Sequence, residues 1–224
     1  MKLNAWIAEL VGTFAVCFMG VGAIVAASRP GSGADLVEAA LAYGLAYAIC
    51  STVFAPIGAG HLNPAVTLSA WIANRIQLVP AVGFIVAQCL GAAVAVATIR
   101  AVVGVVELES VDFGIPTLAT GVSTLGGIAV EAVATFFVGL AFFATMVDRG
   151  APKLGGLLVG LAVVMGYLAT AAWTGGCMNP ARYIGSAVVA SNFRDIVVYL
   201  AGPILGAAVA AILHASLGKS PDTE

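Results

Sequence analysis

The sequence predicts an all-α membrane protein: six transmembrane helices plus two re-entrant half-helices in an inverted repeat. Three observations predict it. The 224 residues are 61% hydrophobic and only 9% charged, where a soluble domain carries about 25% charged residues. Six stretches are long and apolar enough to match the ~20 residues a span needs. The two halves of the chain carry the same motifs in the same order. The composition also excludes disorder, which requires low hydrophobicity and high net charge. A net charge of −2 with no basic stripe argues against a nucleic-acid partner. A single channel-sized domain over residues 1–224 is expected, with the lipid bilayer as its surroundings.

The spans are expected near residues 5–27, 36–57, 78–101, 125–147, 154–173 and 196–215. Helices are the natural choice, because a helix satisfies its own backbone polar groups in lipid. A barrel needs alternating segments of about ten residues, and the chain shows none. The first run is read as a span and not a cleaved leader, being too long for one and holding Glu9. Basic residues in short loops set orientation. Lys2, Arg75, Arg149, Lys153 and Lys219 fall on one side, and Arg29, Arg100 and Arg194 on the other. The count favours both termini in the cytoplasm and a multi-pass protein of the cell membrane.

The repeat is specific. Glu9-x-x-x-Thr13-Phe14 parallels Glu131-x-x-x-Thr135-Phe136, and Leu90-Gly91-Ala92-Ala93 parallels Leu205-Gly206-Ala207-Ala208. Gly44-Leu45-Ala46 recurs as Gly160-Leu161-Ala162, and Asn63-Pro64-Ala65 as Asn179-Pro180-Ala181, with equal offsets: 160 − 44 = 179 − 63 = 116. The repeats cover about 1–101 and 125–216. Three spans per half is an odd number, so the second half starts on the opposite side and the repeats are inverted. Such repeats place functional sites near the midplane, at broken helices.

Two apolar segments, 64–74 and 180–190, are too short to span. Each begins with Pro, favoured at the first helical position, and follows Asn, a good N-cap. Glycine-rich stretches precede both. Two half-helices entering from opposite faces, amino ends meeting near the centre, account for this pattern. Irregular backbone at that depth is tolerated where it is buried or lines a wet cavity, so the pattern points to a pore.

His61-Leu62-Asn63-Pro64-Ala65-Val66-Thr67 and Met178-Asn179-Pro180-Ala181-Arg182 resemble the paired signature of the aquaporin, or major intrinsic protein, family, and the resemblance covers essentially the whole chain. It implies an aquaporin-like fold, a pore in each subunit and a homotetramer. It also implies an aromatic/arginine constriction, whose matching positions here are Tyr43, Tyr167, Gly176 and Arg182. This set departs from the usual water-channel set, commonly Phe on the second helix and His on the fifth. Glycerol facilitators resemble Trp, Gly and Phe at the first three positions and carry Asp straight after the Arg, where this chain has Tyr183. Two tyrosines narrow the ring, so the bore suits water better than glycerol, with ammonia or hydrogen peroxide as further neutral solutes.

The candidate residues then take roles. Asn63 and Asn179 each carry an amide with two N–H donors and are expected to point into the lumen, where one water gives its lone pairs to the two amides; the half-helix amino ends add about +0.5 elementary charge each against protons and cations. Capping alone is the competing reading. Arg182, permanently charged, is expected at the outer mouth, against a salt bridge at the lipid surface. Carbonyls near Ala59, Gly60, His61, Gly175, Gly176 and Cys177 are expected to form an acceptor ladder. His61 is read as a wall residue over a protonation gate. Glu9 and Glu131 are read as acceptors for the loop N–H groups, over ion coupling. Cys17, Cys50 and Cys89 read as small packers, while Cys177 sits where a mercurial would block. No metal cluster, catalytic triad or cofactor motif is present in the sequence. The expectation is a passive, non-enzymatic water channel. The alternatives are a channel mainly for ammonia, hydrogen peroxide or glycerol, or an ion-coupled secondary transporter.

Overall fold

A computed structural model describes residues 3–32, 35–57, 60–147 and 154–217. Among these there is helix and no strand. Six helices are long and apolar enough to cross a membrane, as expected. They are α1 (Leu3–Ser28), α2 (Leu36–Phe54), α4 (Leu78–Val103), α6 (Thr124–Phe142), α7 (Leu157–Thr174) and α9 (Ile196–Leu217). Two short helices complete the pattern, α3 (Pro64–Ile72) and α8 (Pro180–Ala190). A further one, α5 (Val105–Ser110), lies in a connection that the sequence reading left without structure. A 3₁₀ turn extends α2 to Ile57 and a π turn extends α6 to Val147, so both reach their expected ends. The helical start of α7 falls three residues inside its expected boundary, after Gly156. Lys2, Arg149, Lys153 and Lys219, four residues used for orientation, lie outside the described residues.

Local chemistry fixes the ends. Asp35 caps α2, accepting from the Val37 N–H at 2.8 Å, while Glu38 reaches back to the Asp35 N–H at 2.7 Å. This reciprocal box satisfies donors that helix geometry leaves orphaned. Ser123 caps α6 through the Gly126 N–H. Asn63 and Asn179 cap α3 and α8, each followed by Pro at the first helical position.

The packing repeats as the sequence does. Helix α1 lies along α4 and α6 along α9; α2 crosses α7; α3 packs on α4 and α9, and α8 on α4. Repeated glycines permit the closest crossings. A Cβ on Gly91 would sit 2.2 Å from the Leu10 carbonyl oxygen of α1, and one on Gly206 2.0 Å from the Ala132 oxygen of α6. Small residues let backbones approach without a hydrophobic driving force between helices, which lipid does not supply. The shell is correspondingly apolar: Val79, Val102, Leu125 and Ile212 all face outward. The interior holds the polar groups, among them Glu9, Gln88, Asn63, Glu131, Asn179 and Arg182.

At one end of the bundle, ion pairs join the connections. Arg29 meets Glu107 at 2.5 Å and Arg194 pairs with Asp112. Hydrogen bonding to Glu107 and attraction by its charge hold the exposed Arg29 guanidinium above its ordinary pKa. The chain after Asp112 then folds over the end of α7, where the Ala119 N–H meets the Trp173 carbonyl at 2.9 Å.

Gly206→Val should destabilise the bundle by about 1–3 kcal/mol, as overpacking of a filled interior does. Val209→Ala, on the exposed face of the same helix, should change little. Thermal unfolding of the detergent-solubilised proteins checks both, and equal midpoints would remove the close crossing as a structural requirement.

Candidate functional site: a narrow passage between two capped helices

The site begins with two buried carboxylates. Glu9 on α1 accepts the N–H groups of Gly60, His61 and Leu62 at 2.6, 2.8 and 2.7 Å, and the Gln88 amide at 2.7 Å. Glu131 on α6 accepts from Cys177 N–H, Met178 N–H and the Thr174 hydroxyl at 2.9, 2.6 and 2.6 Å. Each carboxylate therefore holds the extended segment before one short helix by its N–H groups. These bonds leave both carboxylates engaged with the fold.

These anchors set an unusual backbone. Leu62 (φ 54°) and Met178 (φ 53°), the residues just before the two asparagines, are both in the left-handed region. Such a conformation costs a non-glycine residue about 1–3 kcal/mol and persists where surrounding contacts over-determine it. Here the N–H of each is held by a carboxylate and the carbonyl of each by the asparagine of the opposite repeat. Asn63 Nδ2 donates to the Met178 carbonyl at 2.8 Å, and Asn179 Nδ2 donates to the Leu62 carbonyl at 2.9 Å.

Each asparagine does two things at once. Its Oδ1 caps its own helix through the N–H of Ala65 or Ala181, both at 2.9 Å. One N–H crosses to the other loop. A carboxamide carries two N–H groups, so these bonds leave one over on each. Capping and a crossed bond to the opposite loop thus coexist in each asparagine. Pro64, Ala65, Pro180 and Ala181 are buried behind them.

Asn63 and Asn179 line one narrow cavity with Val16, Tyr43, Tyr47, Val163, Tyr167, Gly176, Cys177, Met178 and Arg182. Its volume of ≈ 10 Å³ is about what one water requires. All four expected constriction residues meet here. Tyr43 and Tyr167 have ring centroids 5.5 Å apart, and the Arg182 guanidinium lies 4.5 Å from the Tyr43 ring centre and 5.7 Å from that of Tyr167. Arg182 is 3% exposed and donates from Nη2 to the Gly175 carbonyl at 3.2 Å. Its Nε and Nη1, and the Tyr43 hydroxyl, have no partner among the described residues. A surface salt bridge is therefore not what holds this arginine. Gly176 sits at φ 56°, which a side chain rarely adopts, and a Cβ there would make a tight 3.1 Å contact with the Tyr167 Cα.

The carbonyls expected to form a ladder are partly engaged. Gly60 and His61 carbonyls accept from the hydroxyls of Ser51 and Tyr47 on α2, and the Gly175 carbonyl from Arg182. A carbonyl has two lone pairs, so each keeps one. The Cys177 thiol leans on the Asn179 carbonyl at 3.2 Å. Ala59 lies outside the described residues. The His61 ring is set between Phe84 and Phe142 with Nδ1 3.2 Å from the Thr67 hydroxyl, and it lines a wider vestibule of ≈ 280 Å³ with Arg75, Phe142 and Met146.

One lining residue escaped the sequence reading, and the surroundings of another were not legible there. Tyr47, one helical turn from Tyr43, lies in the passage wall; its i+4 spacing on an apolar helix reads equally as core. Tyr183 stands where glycerol facilitators carry Asp, yet it turns away from the passage. It stacks on Tyr199 at 5.0 Å and donates to the Arg194 carbonyl, while Tyr199 donates to the Thr174 carbonyl.

Six apolar helices around a polar axis, with two capped short helices meeting at a one-water constriction, define a membrane channel for small neutral solutes. The chain belongs to the major intrinsic protein family, whose model, described as Major intrinsic protein, matches residues 1–214. It is similar to aquaporin FA-CHIP of Pelophylax lessonae, 36% identical over 94% of this chain and 81% of that one. It is also similar to aquaporin TIP4-4 of Zea mays, 37% identical over 96% and 86%. Among solved structures, the aquaglyceroporin from Plasmodium falciparum superposes with a TM-score of 0.84 at 25% identity, covering 97% of both chains.

Glu131→Gln replaces an acceptor with an amide whose NH₂ faces N–H donors. One buried unsatisfied donor costs about 1–3 kcal/mol, so thermal stability should fall by that order. The loss should be much smaller for Glu109→Gln, which lies on exposed α5. Unfolding curves for the two variants check the contrast.

Proposed function

We propose that the protein is a passive water channel of the cell membrane. The observation that carries the reading is the meeting of α3 and α8. Their nine and eleven residues give lengths of about 14 and 17 Å at 1.5 Å per residue. Placed end to end they match a hydrocarbon core of ~30 Å, which supports half-helices entering from opposite faces.

The spare N–H of each asparagine is then available to one water. A water accepting from both turns its hydrogens toward the two ends of the file and accepts no proton from a neighbour. The two amino-terminal ends, each about +0.5 elementary charge, and Arg182 oppose cations. The Tyr43–Tyr167–Arg182 cluster is the main support for water over glycerol, since it closes the wide bore a polyol needs. The unpartnered Arg182 nitrogens and Tyr43 hydroxyl give a passing water replacements for its hydration shell. Glu9 and Glu131, occupied by loop N–H groups, offer little to an ion-coupled transporter. The family likeness and the basic-residue count support a homotetramer with both termini cytoplasmic.

Purified protein in vesicles, challenged with sucrose, glycerol and ammonium gradients and read by light scattering with conductance in parallel, tests the reading. Water flux should exceed empty vesicles by at least tenfold with no ionic current. Tyr167→Gly, which widens the cluster, should raise glycerol flux at least twofold. Water flux equal to empty vesicles rejects the channel for water, and uptake requiring sodium or protons favours coupled transport.

A further inference from the structure

Tyr47 lines the narrow cavity at a position that neither the repeat nor the arginine cluster accounts for. Tyr43, Tyr47 and Ser51 lie four residues apart on α2 and so share one face. Tyr47 is 1% exposed and lines the narrow cavity together with both asparagines. Its hydroxyl donates to the His61 carbonyl, and His61 lines the wider vestibule. The phenol therefore spans the boundary between two cavities, bonded to the backbone of the segment that Glu9 anchors. The offset of 116 that relates the repeats pairs Tyr47 with Val163, which lines the same cavity from α7. At this level one repeat presents an aliphatic wall and the other a phenol.

We propose that Tyr47 is a specificity-determining residue, a second size filter between the asparagine pair and the His61 vestibule, in series with the Tyr43–Tyr167–Arg182 cluster. The inference rests on the passage being the route of permeation. Its chemistry is an exchange of hydrogen bonds. A water reaching the His61 carbonyl donates to it in place of the phenol, and the freed phenol hydroxyl bonds the same water. The cost of leaving one partner is offset by the other, so water passes with a small displacement of the ring. A polyol is too wide for that exchange and passes only when the whole ring swings aside. The two filters act as resistances in series, so widening one alone leaves glycerol limited by the other.

The test uses the full chain in vesicles. Tyr47→Val, matching Val163, should raise water flux about threefold and leave glycerol flux near that of the unmodified protein, because the arginine cluster still stands. Added to Tyr167→Gly, the same change should raise glycerol flux at least tenfold above Tyr167→Gly alone. Tyr47→Phe keeps the bulk and removes only the hydroxyl; in the Tyr167→Gly background it should still limit glycerol. A double variant that elutes as a single folded species and passes no more glycerol than Tyr167→Gly overturns the filter, as does a Tyr47→Phe that admits glycerol as freely as Tyr47→Val. If Tyr47→Val fails to fold, Val163→Tyr serves: a second phenol opposite the first should cut water flux at least fivefold, and unchanged flux overturns the proposal. An unmodified protein without water flux whose Tyr47→Val variant conducts would reject the water channel and retain Tyr47 as the barrier. Flux absent from both rejects both.

Discussion

The structure depends on two buried carboxylates that each gather backbone N–H groups from a segment with no regular structure of its own. Glu9 and Glu131 fix Gly60–Leu62 and Cys177–Met178. Without them, two loops would bury orphaned donors in an apolar bundle, where each lost hydrogen bond is expensive. With the N–H groups turned toward the helices, the carbonyls turn the other way. Two of them, Leu62 and Met178, accept the crossed asparagine bonds that lock the short helices together. Pore, caps and left-handed residues are consequences of one constraint: extended backbone inside a membrane must be satisfied from both sides.

Much of this was legible in the sequence for a physical reason. In an apolar chain each polar residue within a span stands out, and Glu9, Glu131, Asn63, Asn179 and Arg182 stood out twice over by repeating or by following a repeat. The six spans were legible because length and hydropathy suffice for a helix in lipid. The aromatic lining was less so. Tyr47 and Tyr183 are both tyrosines next to recognised positions, yet one enters the passage and the other packs against Tyr199. Helical spacing gives the face of a residue but not what its hydroxyl will meet. The bonds Tyr47–His61 and Asn63–Met178 join residues from different elements, and no local pattern announces a partner. Helix α5 was missed because six residues are too few to show a period.

The repeat is kept where backbone is held and broken where solute would touch. Caps, prolines, carboxylates and crossing glycines are matched across the halves. The lining is not: at the offset of 116, Arg182 corresponds to Val66, Tyr167 to Ser51, Tyr43 to Val159 and Tyr47 to Val163. A symmetric scaffold with an asymmetric lining separates two tasks. The matched residues build the junction where the two capped helix ends are bonded to each other's loops. The unmatched ones line the narrow cavity beside it.

That separation also explains why Arg182 needs its surroundings. A guanidinium at membrane depth is tolerated when it faces a cavity and finds donors' partners there. Arg182 has a single carbonyl, Gly175, and two aromatic faces within cation–π range. The rings supply attraction without a counter-charge, so the positive field stays available to the passage. A carboxylate in the same place would neutralise it. Gly175 is itself fixed by the close approach of Pro116, and the Tyr183–Tyr199 stack ties the far sides of the same loop to α9. Aromatic packing therefore matters here as much as charge: the tyrosines that narrow the cavity are also what allow an arginine without a counter-charge to remain in it.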